Sequence, residues 1–215
     1  ENTMLRKREQ TINIIDFFDE KDDASNIRKG IAYVNFYENR HSDPSYLKKA
    51  TLLLNKGLER LPNHIEGNYN LGRAYQLQGK NKKSIVWYKK SAKLDPSHMW
   101  SMYQLGRLYL YDDLQQSLSY LLRAINLNVD NAKVWKEYGD ALLLAENIKE
   151  AKRAYNRSIK IDPYFATAYN KIGELEFYKN SNLEAATINF LKAIQYNPDH
   201  LFAMHNMANI AIIEK

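Results

Sequence analysis

Apolar and small side chains recur along this chain at helical spacing, and the helical pattern is cut at nearly regular intervals. In "KKSAKLDPSHMWSMYQLGRLY", residues 89–109, Lys89–Leu94 reads as the end of one amphipathic helix and Trp100–Tyr109 as another, with Pro96 between them. Nearly the same cut occurs in "ERLPNH" at 59–64, "KIDPYF" at 160–165 and "QYNPDH" at 195–200. Proline cannot continue a helix and disfavours helical geometry in the residue before it. Each proline is therefore expected to end one helix and open the way to the next. Residues 4–18 read as a further amphipathic helix and "DEKDDAS", 19–25, as an acidic linker, giving an N-terminal region over 1–25 ahead of the periodic part over 26–215.

Within the periodic part the same residue types return in phase. Leu71–Gly72, Leu105–Gly106, Tyr138–Gly139 and Ile172–Gly173 form one series, continued by Met207–Ala208, with spacings of 34, 33, 34 and 35 residues. A small residue follows each glycine at Ser84, Ser117, Ala151 and Ala186. A large one then follows at Tyr88, Leu121, Tyr155 and Phe190, and a small one again at Ser91, Ala124, Ser158 and Ala193. Ala50, Leu54, Gly57 and Pro62 repeat this order one unit upstream. Glycine inside a helix costs about 1 kcal/mol against alanine, so its recurrence implies a close helix–helix approach. The large residue is expected to fill the space beside it.

This pattern resembles the tetratricopeptide repeat, over about 65–200 and extending back to about 27. The resemblance implies an all-α, right-handed α-solenoid of stacked antiparallel helix pairs, with about five units and the last incomplete. The unit from Met99 is one residue short in "YDDLQQ" and that from Ala166 one residue long in "KNSNLE". Both changes fall in the turn between a unit's helix A and helix B, where such an array tolerates them. Gly30 and Ala32 are candidates for the first helix A, but "ENRHSDPSY" stretches its turn and leaves the register of 27–63 open. Residues 201–215 match a helix A without its helix B; their apolar character leads us to expect the chain to continue beyond Lys215.

Composition narrows the function classes. The 215 residues contain no cysteine, which removes disulfides, thiol nucleophiles and cysteine zinc sites, and suits the cytoplasm and a bacterial periplasm equally. No window approaches a membrane span. The net charge of +6 is dispersed, which disfavours a nucleic-acid binder. No catalytic, cofactor or metal constellation is visible, so a non-enzymatic role is expected. His64, His98 and His200 each follow a proline at the same place in the repeat. At about one helix diameter, ~10 Å, between units they are too far apart to share a metal, and they read as helix-start residues. "GKNKKS", 79–84, lacks the first glycine of a phosphate loop, and "NRS", 156–158, lies within a helix and not on a loop. Lys80, Lys82, Lys83, Lys89, Lys90 and Lys93 form the strongest basic patch, on a helix B face that the resemblance makes convex.

The resemblance further implies that helix A lines a groove, with the second, fifth, sixth and ninth residues of each unit facing a ligand. These are Glu66, Tyr69, Asn70 and Arg73; then Trp100, Tyr103, Gln104 and Arg107; then Lys133, Lys136, Glu137 and Asp140; then Thr167, Asn170, Lys171 and Glu174. Phe202, His205, Asn206 and Asn209 follow on the last helix. Tyr69, Arg73, Tyr103 and Arg107 are expected to form a contiguous concave patch that binds, since tyrosine and arginine dominate hot spots, with Tyr103 and Arg107 largely exposed. The arrangement does not match the family's carboxylate clamp for chaperone C-termini. The resulting expectation is a scaffold or adaptor holding a peptide or partner helix in the groove. The alternatives are a targeting or regulatory region of a larger enzyme such as a glycosyltransferase, and an acidic or nucleic-acid partner on the lysine patch.

Overall fold

The computed structural model describes residues 22–40 and 43–213, so the amphipathic stretch at 4–18 lies outside the described residues. Eleven helices and no strand occur among the described residues. They are α1 (Asp23–Arg40), α2 (Ser45–Arg60), α3 (Ile65–Leu77), α4 (Asn81–Leu94), α5 (Met99–Tyr109) and α6 (Leu114–Leu127). They continue with α7 (Ala132–Leu144), α8 (Ile148–Ile161), α9 (Ala166–Tyr178), α10 (Leu183–Tyr196) and α11 (Leu201–Ile213). The chain forms two compact units, one through Ser101 and one from Met102, so the division falls inside α5. Each is an all-α stack of helix pairs. In the first, α1 packs on α2, α2 on α3, and α3 on α4. In the second, α7 packs on α8, α8 on α9, α9 on α10, and α10 on α11.

One contact type builds every pair. A Cβ placed on Gly72 would lie 2.7 Å from the Tyr88 ring, and one on Gly106 2.5 Å from Leu121. Gly139 meets Tyr155, and Gly173 meets Phe190, both at 2.5 Å. Tyr88, Tyr155 and Phe190 are completely buried. Gly30 meets Leu54 in the same way, at 2.6 Å, which settles the open register: Gly30 is the equivalent of Gly72. The first helix A therefore starts at Asp23, inside the stretch read as a linker. Its first turn is closed by the Asp22 carboxylate, which accepts from the Ser25 amide. At 18 residues α1 is longer than the 13 of α3, α7 and α9, which accounts for much of the stretch in the sequence.

The small positions of helix B add backbone ties. The Ser117 hydroxyl donates to the Gly106 carbonyl at 2.7 Å, and the Ser158 hydroxyl to the Ala132 carbonyl at 2.7 Å. Between units the prolines do punctuate the helices, but the residue before Pro96, Pro163 and Pro198 does part of the work. Asp95, Asp162 and Asn197 each accept, through a side-chain oxygen, from the amide two residues on. Asn128 does the same ahead of Val129, so the turn forms where proline is missing. The three histidines start helices, as expected. His64 Nδ1 accepts from Gly67, His98 Nδ1 from Ser101 and His200 Nδ1 from Ala203.

The turn from helix A to helix B uses a left-handed residue at Gly79 (φ 72°), Glu146 (φ 58°) and Ser181 (φ 51°). A side chain at such a φ costs about 1–2 kcal/mol, partly offset by the entropy that glycine loses on folding. Glu146→Gly is therefore expected to stabilise the protein by about 0.5–1 kcal/mol. Thermal denaturation checks this. A lower melting temperature would show that the Glu146 side chain supports the turn by contacts that outweigh its strain.

Candidate functional site

In the first unit, α3 places Tyr69, Asn70 and Arg73 on one face. The Tyr69 ring packs between the Tyr88 and His98 rings, at 5.5 Å and 4.9 Å. The Arg73 guanidinium lies over Tyr69, donates to Asn35 Oδ1 at 3.0 Å and to Asn70 Oδ1 at 2.6 Å, and pairs with Glu38. Glu38 belongs to the last turns of α1, beyond the length of an ordinary helix A here, so the long α1 supplies the carboxylate that neutralises Arg73. Trp100 is exposed.

In the second unit two ion and hydrogen-bond clusters lie over the helix A residues, one from Arg107 to Tyr155 and one from Lys171 to Tyr178. Arg107 lies over Tyr103, donates to Gln104 Oε1 at 3.3 Å and pairs with Glu137 at 3.4 Å. Lys136 bridges Glu137 at 2.9 Å and Asp140 at 3.2 Å, and the Tyr155 hydroxyl donates to Asp140 at 2.8 Å. Lys171 pairs with Glu174 at 2.8 Å, and Asn170 donates to the other Glu174 oxygen at 2.6 Å. Asn206 donates to Asn170 at 3.4 Å and accepts from the Tyr178 hydroxyl at 3.3 Å. Three cations thus meet three carboxylates.

The protonation states follow from these contacts. Burial works to lower Lys136, but Asp140 and Glu137 outweigh it and hold the ammonium above its ordinary value. Burial likewise works against Lys171, where Glu174 outweighs it. Burial, with Glu137 adding, pushes Tyr103 up to about 12. Burial and then the Asp140 carboxylate push Tyr155 up as well. All four shifts run away from neutral pH, so these groups keep one protonation state there and make poor proton shuttles. Among the described residues no group of three or more His, Asp or Glu could hold a metal ion.

The expected exposure needs correction. Tyr103 is only 8% exposed, and Asn70 and Asn170 are 2% exposed. They are part of the packing, because helix A faces its neighbours more tightly than a fully open groove wall would. Replacing Tyr103 to probe binding would therefore disturb the fold as well. The sequence reasoning also missed Glu38, Asn35 and Tyr155. The first two were hidden by the unresolved register; Tyr155 was legible only as a core ring, although its hydroxyl reaches the polar face.

Beside the second cluster lies an open cleft of ≈ 490 Å³. Thr167, Asn170, Lys171 and Glu174 of α9 line one side, and Leu201 and Phe202 of α11 the other. Leu201 and Phe202 are 76% and 73% exposed, held in place because Ala203, Asn206 and Ile210 of the same helix are buried. The cleft therefore combines a fixed polar wall with accessible apolar surface.

Residues 65–98 and 132–165 each match the tetratricopeptide-repeat family, in the register that starts at Ile65 and at Ala132. Among curated proteins the chain is similar to human protein O-mannosyl-transferase TMTC3, 23% identical over 163 residues. That match takes in 68% of this chain and 18% of the relative, and the chain spans less than a fifth of the curated relatives it matches. Among solved structures it is similar to YrrB, a tetratricopeptide-repeat protein with an unusual peptide-binding site. The identity is 23%, the TM-score 0.67, and the coverage 92% of this chain and 97% of that one. It is also similar to MamA, at 28% identity and a TM-score of 0.66, covering 72% of this chain and 90% of that one. No described helix is long and apolar enough to cross a membrane. The glycine–ring pairing repeated from unit to unit, the two family matches in that register and the all-α stacks agree: the chain is a tetratricopeptide-repeat protein.

Proposed function

We propose that this protein is a non-catalytic interaction scaffold that holds a peptide or partner helix on its helix A face, in the cleft between α9 and α11. Repeats of this kind serve as protein-interaction scaffolds, and one observation carries the finer reading. Leu201 and Phe202 stand mostly exposed across from the polar wall of Asn170, Lys171 and Glu174. A bound segment can bury an apolar side chain against Phe202 while its backbone exchanges hydrogen bonds with the Lys171 ammonium and the Glu174 carboxylate. Because the charges on the wall are already balanced, recognition rests on shape, apolar area and amide bonding more than on a net charge of the ligand. The described peptide-binding site of YrrB, a protein of similar fold, is in keeping with this reading.

Peptide selection against the folded chain, followed by calorimetry, tests it. Phe202→Ala combined with Lys171→Ala is expected to weaken the selected peptides by more than about 2 kcal/mol, as hot-spot truncations do. Phe202 is exposed and Lys171 is on the surface of α9, so the melting temperature should hardly change. Lys149→Ala, at an exposed position of α8 away from the helix A face, should leave affinity unchanged. Peptides that bind the double variant as tightly as the parent would remove the cleft from the proposal.

A second reading is supported by the similarity to the O-mannosyl-transferase. In it the chain is a targeting or regulatory part of a larger enzyme, and its face holds that enzyme's protein substrate or partner. Sequencing the complete reading frame distinguishes the two.

A further inference from the structure

The first unit carries a second surface, on the outer faces of α2 and α4, that the helix A site does not use. Lys48, Lys49 and Lys56 of α2 recur 34 residues later as Lys82, Lys83 and Lys90 of α4. Between them, at matching positions, stand Leu52, 70% exposed, and Val86, 61% exposed. The two helices share a support: Asn55 of α2 donates to the Tyr75 hydroxyl at 3.4 Å, and Lys83 of α4 lies over the Tyr75 ring at 5.6 Å. The same field of lysines around one aliphatic side chain is thus presented twice.

Two features set this field apart from an ordinary solvated face. First, three of its lysines are held over aromatic rings: Lys49 over Tyr33 at 5.6 Å, Lys83 over Tyr75 and Lys90 over Trp87 at 5.1 Å. A ring fixes an ammonium without cancelling its charge, unlike a carboxylate partner. Of the acidic groups, Asp43 feels Lys48 and Lys49, and Glu59 stands three residues beyond Lys56 on α2. Second, the helix starts differ. Helices α6, α8 and α10 of the other unit are capped by Asp113, Asn147 and Asn182, whose side chains accept from the first turn. Helix α4 begins after Lys80 with no side-chain cap and no acidic residue in its first turn, whereas at the start of α2 the Asp43 carboxylate accepts from the Ser45 amide at 2.8 Å. Lysine near a helix start opposes the macrodipole, so the positive end of α4 adds to the lysine charge.

We propose that this face binds an acidic polypeptide segment carrying aliphatic side chains along one side. The carboxylates meet the lysines and the uncapped start of α4; the aliphatic groups cover Leu52 and Val86. A nucleic acid fits less well. It would seek arginine and an open aromatic ring for its bases, whereas the rings here lie beneath lysines. A lipid surface fits less well too, since each rigid helix offers one aliphatic side chain for insertion.

The test is fluorescence anisotropy on the full chain at low salt. The probe is a labelled glutamate–leucine peptide of about 20 residues, several helical turns long. Polyglutamate, a thymidine oligonucleotide and phosphatidylserine vesicles are the comparators. Binding should weaken as salt rises. Replacing Lys48, Lys49, Lys82 and Lys83 by glutamine should weaken it by about tenfold or more, because the attraction is summed over the field. All four are exposed, so circular dichroism and melting should be unchanged. Leu52→Ser with Val86→Ser should weaken the glutamate–leucine peptide and leave polyglutamate unaffected. The proposal is overturned by no peptide binding at low salt, by unchanged binding of the lysine variant, by equal loss of both peptides in the serine variant, or by tighter binding of the oligonucleotide or the vesicles.

Discussion

Gly139→Leu is expected to lower stability by about 3 kcal/mol or more, the upper end of what overpacking a filled core costs. Even the first added carbon would sit 2.5 Å from Tyr155 Cε1 and 2.7 Å from Cδ1. The ring cannot yield easily, because it is completely buried and its hydroxyl is held by Asp140. Retreat of the ring would break that bond, and Asp140 also anchors Lys136. For a protein of this size the loss corresponds to a fall of roughly 6–12 °C in melting temperature. In a repeat array stability is close to a sum of local terms, so hydrogen exchange should show the largest loss of protection in α7 and α8. Asn156→Leu, at an exposed position of α8, serves as the control and should change little. A Gly139→Leu protein that melts like the parent would falsify the close-approach account of the repeated glycine.

Phe190→Ala should cost about 3–5 kcal/mol, the usual range for emptying a buried aromatic position. Phe190 is completely buried, rests on Gly173, and shares its core with Tyr169, Ala186, Ala193, Ala203 and Ile210. Loss of the ring leaves a void bounded by helix backbone that cannot collapse far. The repeat itself supplies a comparison: Leu54 and Leu121 occupy the same position in other units. Phe190→Leu should therefore retain most of the stability, at a cost of about 1 kcal/mol, as for a swap that nearly conserves volume. Chemical denaturation of both variants reads the difference. If alanine and leucine cost the same, the contact is not governed by volume. Since α11 packs on this core, Phe190→Ala should also loosen Leu201 and Phe202 and weaken any peptide held in their cleft.

Most of the architecture was legible in the sequence because each position of the unit has one mechanical task. Gly106 and Leu121, or Gly173 and Phe190, are unlike their neighbours in size and recur in phase, so their pairing could be read before the structure. The first unit resisted because the chain between Gly30 and Leu54 is longer than elsewhere; only the contact between these two residues settles the register. The candidate site was legible in direction but not in partnership. Helical phase placed Arg73 and Lys136 on the helix A face. It could not show that Glu38 arrives from α1 to neutralise Arg73, or that Asp140 ties Lys136 to a core tyrosine. Asn70 and Asn170 illustrate the same gap, since a polar residue in that phase reads as solvated although both are buried. The turn residues Asp95, Asn128, Asp162 and Asn197 escaped notice because proline drew attention away from the residue before it.

Each glycine of the repeating series and the bulky residue it admits lie on the two helices of one unit: Gly30 with Leu54, Gly72 with Tyr88, Gly139 with Tyr155. Plug and socket are therefore inherited together. An in-frame duplication or loss of one whole unit moves a complete lock through the gene and leaves every other lock matched. Recombination that joins the helix A of one unit to the helix B of another faces a different outcome, since a socket shaped around leucine, as at Leu121, would receive a tyrosine or phenylalanine ring. Selection acting on such exchanges would favour breakpoints at the Asp/Asn–Pro turns, where a new neighbour can be adopted without re-cutting the interior.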